Sequence, residues 1–599
     1  MKIRYIALPL IAASFSMTAQ EQLTKEIDVE REIVPELRAA TRMDVFPTTV
    51  RPDIKPVRLS PGEHTEAAEY QPLTLRYEPA WGGFAATPTP YRGYVGAGYF
   101  PTSDFGLAAG FAAVAKKDMG LGIWANLNRR QWKDEYETTY PREDYKTFDI
   151  AVGADFITRF RAGNLSVRTT FEYSAFNKGM TRLVPNESSQ NPTSEDIFSY
   201  DDPTQKVTRW NLQAGWDGHA SNGLEYNASL QGGLFHFGKA GSGDYRWNFL
   251  EREQADRISP VHQTAFGAGF GASLPAGPQG RAGVDISSQW LACNHFPFEG
   301  NGIYADASDE SYTSFIDAKG KTVSVTSLAP YYRFDNGSFS AKIGVKADIT
   351  TGSGKTFHIA PDVMLGYNPA SSFGAWIHVT GGEHLNSLES LYAVSRYISP
   401  LYAYTPSNMP VAGEIGFRVG PFKGIALEAG GAYADAHDWL MPDLMNSGYN
   451  SFKGVNLHSF KIFGSITAAW RDIISLRARY DYRFGNDTDN LWYAWRDGAK
   501  SVVSASLTVR PIDKLSINAA FEARYDRNMQ QIEYLPAGET KAQKSLGTFA
   551  NLSAGANYRI TAPLSIFVRF DNILNRKDNM IFGLHTPGFN GLFGVDFKF

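Results

Sequence analysis

The chain has 599 residues and a formal net charge of −4, a balance that gives no electrostatic reason to expect a nucleic-acid partner. Aromatic residues make up 14% and glycines number 56, yet the mean hydropathy is −0.29. A single cysteine, Cys293, excludes an internal disulfide framework and argues against a thiolate metal site.

In chain order, Lys2 and Arg4 precede an apolar stretch from Tyr5 to Phe15, followed by small and polar residues through Ala19. This is the plan of a secretory signal over residues 1–19, too short to span a bilayer as a helix. Residues 20–92 carry nine prolines and no periodic apolar pattern, so they are expected to be extended and periplasmic, without a plug domain's core. Within them Glu26–Pro35 alternates acidic and β-branched residues. Ile27, Val29, Ile33 and Val34 there offer a strip suited to adding a strand to a periplasmic partner's sheet edge. A solvated leader, or a polar helix broken at Pro35, fits the same residues.

From Gly93 to Phe599 one pattern repeats: alternation, a turn, alternation again. Leu515, Ile517, Ala519, Phe521, Ala523 and Tyr525 share one face, while Ser516, Asn518, Glu522, Arg524 and Asp526 share the other. Leu476, Ala478, Tyr480 and Tyr482 likewise oppose Arg477, Arg479, Asp481 and Arg483. The runs span about 10 to 15 residues, longer than sandwich strands and suited to tilted membrane crossing. Beyond the signal there is no apolar run of about 18 residues, as a membrane helix requires. The alternation resolves into 22 strands, centred from Ala97 to Val595. Tight turns such as Arg161–Asn164, Asp335–Ser338 and Pro511–Lys514 alternate in phase with long connections such as Asn177–Gln205, Asn294–Thr322 and Leu385–Asn408. The expected fold is all-β: an up-and-down antiparallel transmembrane barrel in the cell outer membrane, with short periplasmic turns and long extracellular loops. Outer-membrane lipid and lipopolysaccharide would be its surroundings. In the last strand Phe593, Val595, Phe597 and Phe599 alternate with polar residues or glycine. Phe597 and Phe599 resemble the signal read by the outer-membrane assembly machinery, a further expected partner.

The strand count, with the closing segment Phe570–Lys577, then Thr586-Pro587-Gly588 and Phe599, resembles the barrel of TonB-dependent outer-membrane receptors. Residues 93–599 carry that likeness. The short proline-rich front departs from it, because those receptors carry a folded plug; the chain is thus similar to the plug-less relatives found in the Bacteroidetes. The resemblance implies uptake or passage of a solute, with a TonB-like periplasmic partner for the acidic run.

The eleven histidines have no metal-ligand spacing, and neither a nucleophile elbow nor a phosphate loop is present, so no enzyme, metal or cofactor is expected. The barrel interior is expected to be lined by Arg477, Arg479, Asp481, Arg483, Glu522 and Arg524, a basic wall unless the carboxylates pair with the arginines. Trp492, Tyr493 and Trp495 lie at an extracellular tip where they could stack on a ligand or simply pack the loop. An open lumen of this width would be harmful to the cell, and loops 177–205 and 294–322 are long enough to fill it. Two functions follow: solute passage through a gated barrel, or a scaffold that recruits periplasmic partners through residues 20–92.

Overall fold

The computed structural model describes residues 91–599 apart from 102–103, 117, 133–144, 178–181, 186–197, 202–203, 239–260, 294–320, 353–355, 395, 397–405, 445–449, 472, 485–498, 536–537 and 582–583. The barrel strands run β1 Gly93–Phe100, β2 Asp104–Lys116, β3 Met119–Trp132, β4 Tyr145–Phe160, β5 Gly163–Phe176, β6 Gln205–His219, β7 Glu225–Phe237 and β8 Val261–Pro275. They continue as β9 Gly280–Cys293, β10 Lys321–Asp335, β11 Phe339–Thr351, β12 Phe357–Ala370, β13 Phe373–His384, β14 Ser407–Phe422 and β15 Ile425–Leu444. The last seven are β16 Asn450–Trp470, β17 Ile474–Phe484, β18 Ala499–Ile512, β19 Leu515–Leu535, β20 Phe549–Arg559, β21 Leu564–Asp571 and β22 Asn590–Lys598.

Every strand pairs antiparallel with its neighbour in sequence, and β22 pairs back onto β1, closing a ring of 22 strands. Each of the strand centres expected from alternation falls inside one of them. The seam is well tied. Phe599 N–H donates to the Gly93 carbonyl at 2.9 Å, and the Phe599 carbonyl accepts from Arg92 and Gly93 at 2.7 and 2.8 Å. A closed ring leaves no edge, which a strand in hydrocarbon could not tolerate.

Strand lengths vary more than alternation suggested. β1 has 8 residues, while β15, β16 and β19 have 20, 21 and 21. The long ones continue as paired ribbons beyond the barrel: β15 and β16 stay in register to Leu444 and Asn450, and β19 pairs on with Gly538–Ser545.

The two faces of the ring differ as the alternation requires. One exposes large apolar side chains, among them Val152, Phe171, Phe266, Ile349, Phe417, Ile517 and Val595. In water so continuous an apolar belt would be an aggregation surface; against lipid it is stable, which makes the barrel a transmembrane one. The other face carries the buried charged groups, including Arg209, Asp348, Lys461, Asp481, Arg483 and Asp571. Close approach between strands uses glycine where a ring must lie flat. Gly153 sits directly opposite Trp124, and a Cβ there would fall 2.4 Å from its Cζ2.

Candidate functional site

The inner wall is an ion-pair lattice. Side chains two apart on a strand share a face about 7 Å from one another, and several such pairs are of opposite charge. Arg479 donates from Nε and Nη2 to Asp481, with Nη2 to Oδ1 at 2.8 Å; Arg524 donates to Glu522 at 2.5 Å; Arg569 binds Asp571. Cross-strand contacts add Lys342–Asp362 at 2.7 Å, Arg333–Glu225 at 2.9 Å and the Arg209–Glu172 pair. Asp348, fully buried, accepts from Ser327 Oγ at 2.5 Å and from Glu383 N–H at 2.7 Å, with Lys346 at 3.5 Å.

Arg479 and Asp481 therefore stand as a pair, as do Glu522 and Arg524. Lys461 lies 3.9 Å from Asp481, and Arg479 also rests over the Phe463 ring. Arg477 and Arg483 occupy the same face of β17, and Arg483 is buried. The pairing ties Arg479 and Arg524 to carboxylates, but with Lys461, Arg477 and Arg483 this patch holds five basic groups against two acidic ones, Asp481 and Glu522. Phe597 and Phe599 lie on the opposite, apolar face at the seam, their rings stacked 6.3 Å apart. Trp492, Tyr493 and Trp495, and Ile27, Val29, Ile33 and Val34, lie outside the described residues. Most of loops 177–205 and 294–322, expected to fill the lumen, also lies outside them.

A different connection enters the lumen, the one between β13 and β14. It forms a helix, α1, at Leu388–Val394. Ser387 caps it: its Oγ accepts from Ser390 N–H at 3.0 Å and its carbonyl from Leu391 N–H at 3.0 Å. Glu389 in the first turn suits the helix dipole. The buried residues Leu388, Leu391 and Tyr392 fall at i, i+3 and i+4, one face of a helix. That signal was present in the sequence and was missed, because seven residues are too few for a periodicity to stand out.

The connection follows the inner wall backwards, strand by strand. Leu385 packs on Val325 and Val323 of β10 and Leu291 of β9. Leu388 N–H donates to Gln263 Oε1 of β8 at 2.8 Å. Asn211 of β6 donates to Glu389 Oε1 at 2.8 Å. Tyr392 inserts among Phe235 and Phe237 of β7 and Phe176 of β5, with the Arg209 guanidinium 5.0 Å from its ring centre. Arg396 ends the run 3.5 Å from Asp149 of β4. Burying Leu388, Leu391 and Tyr392 contributes about 1.5–3 kcal/mol each, whereas each polar tie adds about 1 kcal/mol. The apolar seat holds the segment, and the polar ties set its register. Asn386 Nδ2 meanwhile donates to Ser407 Oγ at 2.9 Å, fixing the exit from β13 to the start of β14.

Apart from Asn211, nearer the middle of β6, these partners lie towards the ends of strands that meet the long connections, so the belt lines one mouth of the lumen. Twenty-two strands about 4.8 Å apart and tilted about 40° enclose a ring on the order of 40 Å across. A helix of seven residues is only about 10 Å long. By itself α1 narrows this mouth and leaves it unsealed.

The connection from β21 to β22, which carries the residues resembling the receptor family, is knotted by side chains. Asn572 Nδ2 donates to the Arg576 and Pro587 carbonyls, both at 2.6 Å. Arg576 chelates Asp578, whose carboxylate raises the guanidinium's hold on its proton, and reaches the Thr548 carbonyl at 3.0 Å. Among the described residues no three His, Cys, Asp or Glu side chains gather as a metal site.

No protein-family model matches this chain, and no curated protein matches it in sequence. Solved structures do match in fold. The FrpB iron transporter from Neisseria meningitidis aligns over 85% of this chain and 82% of its own, at TM-score 0.59 and 14% identity. The siderophore receptor PirA from Acinetobacter baumannii aligns over 85% and 80%, at TM-score 0.59 and 10% identity. The ferripyoverdine receptor of the outer membrane of Pseudomonas aeruginosa aligns over 85% and 72%, at TM-score 0.57 and 12% identity. At such identities the likeness is one of architecture.

Proposed function

We propose that this protein is an outer-membrane barrel of the TonB-dependent-receptor type that admits a solute, and that the segment Leu385–Arg396 takes over part of the gating a plug would perform. The carrying observation is the belt itself: a connection seated on the inner wall from β10 to β4, in a barrel whose lining is charged and paired. The shared architecture with an iron transporter, a siderophore receptor and a ferripyoverdine receptor supports passage of a solute. In this reading residues 20–92 serve as a tether to a periplasmic, TonB-like partner.

Planar-bilayer conductance tests it. With Cys293 replaced by Ser, Asn211→Cys and Glu389→Cys would lock α1 to β6 on oxidation. Conductance should fall in the locked form and exceed the wild-type level for Tyr392→Ala, whose seat is emptied. If wild type, locked and released forms all fail to conduct, passage is excluded and the scaffold role replaces it.

A further inference from the structure

The outer face carries one feature that solute passage does not use. Near the long connections, outward-facing positions on β3, β4 and β6 are basic: Arg129, Lys146 and Lys206, all three exposed, with Gln131 beyond Arg129 and opposite Lys146. Register places them together. Arg129 pairs with Phe148, Phe148 with Ala175, and Ala175 with Lys206, one continuous cross-strand row. Lys146 stands one outward position further along, between the two. At about 4.8 Å per strand, Arg129 and Lys206 lie about 14 Å apart with Lys146 spanning the gap. The neighbouring outward positions on β7 and β8 are His236 and His262, directly paired, their rings 6.4 Å apart. Among the described residues no carboxylate pairs with the side chains of Arg129, Lys146 or Lys206.

Immediately inward along the same strands the outer face turns apolar, with Ile123, Val152, Phe171, Leu234 and Phe266 exposed. The basic row therefore sits where hydrocarbon gives way to headgroups. Cations with no carboxylate partner among the described residues, held at headgroup depth on a rigid wall, fit phosphate oxygens, which accept charge-assisted hydrogen bonds from guanidinium and ammonium groups. We propose that Arg129, Lys146 and Lys206, flanked by His236 and His262, form a binding site for the phosphate groups of an outer-leaflet lipid. The apolar belt beneath takes its acyl chains.

The test uses the full-length protein in phosphatidylcholine nanodiscs with added diphosphoryl lipid A, lipid A lacking its phosphates, or inorganic phosphate alone. Lipid retained after transfer to mild detergent is counted per barrel by native mass spectrometry. Wild type should retain diphosphoryl lipid A. The triple variant Arg129→Gln, Lys146→Gln, Lys206→Gln should bind it on the order of 100-fold more weakly, three basic groups at about fivefold each. Lys116→Gln, exposed at the other end of β2, should behave as wild type. Heat-modifiable gel mobility confirms that each variant is folded; should the triple variant fail to insert, Lys146→Gln and Lys206→Gln singly give the same reading. Equal retention by the variants overturns the site. Equal retention of the dephosphorylated lipid overturns the phosphate assignment, and full competition by inorganic phosphate overturns the lipid one.

Discussion

Asn211 and Glu389 are 178 residues apart in sequence, yet the amide of one donates to the carboxylate of the other at 2.8 Å across the barrel's inner surface. The bond ties α1 to β6 without touching the wall's own ladder. Asn211→Ala should weaken the docking of α1 by about 1–3 kcal/mol and leave barrel unfolding unchanged. Amide exchange over residues 388–394 should then quicken roughly 10- to 100-fold. Unaltered exchange would mean that the apolar seat alone sets the position of α1.

The faces of β19 give a second expectation. Ile517 is exposed on the apolar face, whereas Asn518 accepts a hydrogen bond from Thr508 Oγ1 at 2.9 Å on the inner one. Ile517→Arg should cost about 2–4 kcal/mol if the residue meets lipid near the midplane. Asn518→Arg should cost much less, because the lumen side admits charge. Denaturant unfolding in lipid vesicles compares the two, and equal losses would reverse the face assignment.

At the seam, a Cβ on Gly93 would fall 2.5 Å from Cζ of Phe599. Gly93→Ala should lower the temperature at which the folded form is lost on a gel. Adding Phe599→Ala should restore part of that loss, since the obstructing ring is gone. A double variant worse than both singles would show that Phe599 acts through something other than this contact.

The ion-pair lattice is not uniform in strength. Asp348 is buried and holds Ser327, Glu383 and Lys346 together, so Asp348→Ala should destabilise by about 3–5 kcal/mol, leaving buried partners uncompensated. Arg333 and Glu225 are about half exposed, so Arg333→Ala should cost less than about 1 kcal/mol. Similar losses at both sites would mean that the lumen is far drier than an aqueous channel.

The barrel was legible because its period is local. Alternation along Ile474–Phe484 or Leu515–Tyr525 states which residues face lipid without reference to any other strand. Pairing along the wall was half legible: Arg479-x-Asp481 and Glu522-x-Arg524 read as charges on one face, and only contact showed that they cancel. The belt was not legible at all. Ser387, Leu388, Leu391 and Tyr392 spell a short capped helix, but its docking depends on Gln263, Asn211, Phe235 and Asp149 from four other strands. No local pattern encodes an address that distant. Loop length pointed to segments 177–205 and 294–322, most of which lies outside the described residues.

The pairing of β1 with β22 also constrains how the protein is made. Tyr94 finds Lys598 only after almost the whole polypeptide has left the ribosome. Until then the first strand has a free side, and every newly added strand carries another. A chain stalled halfway would present two adhesive margins to whatever it met. Such a protein depends on escorts that shield both margins until the circle can shut, and a truncated version should be cleared by proteases rather than inserted as a smaller pore.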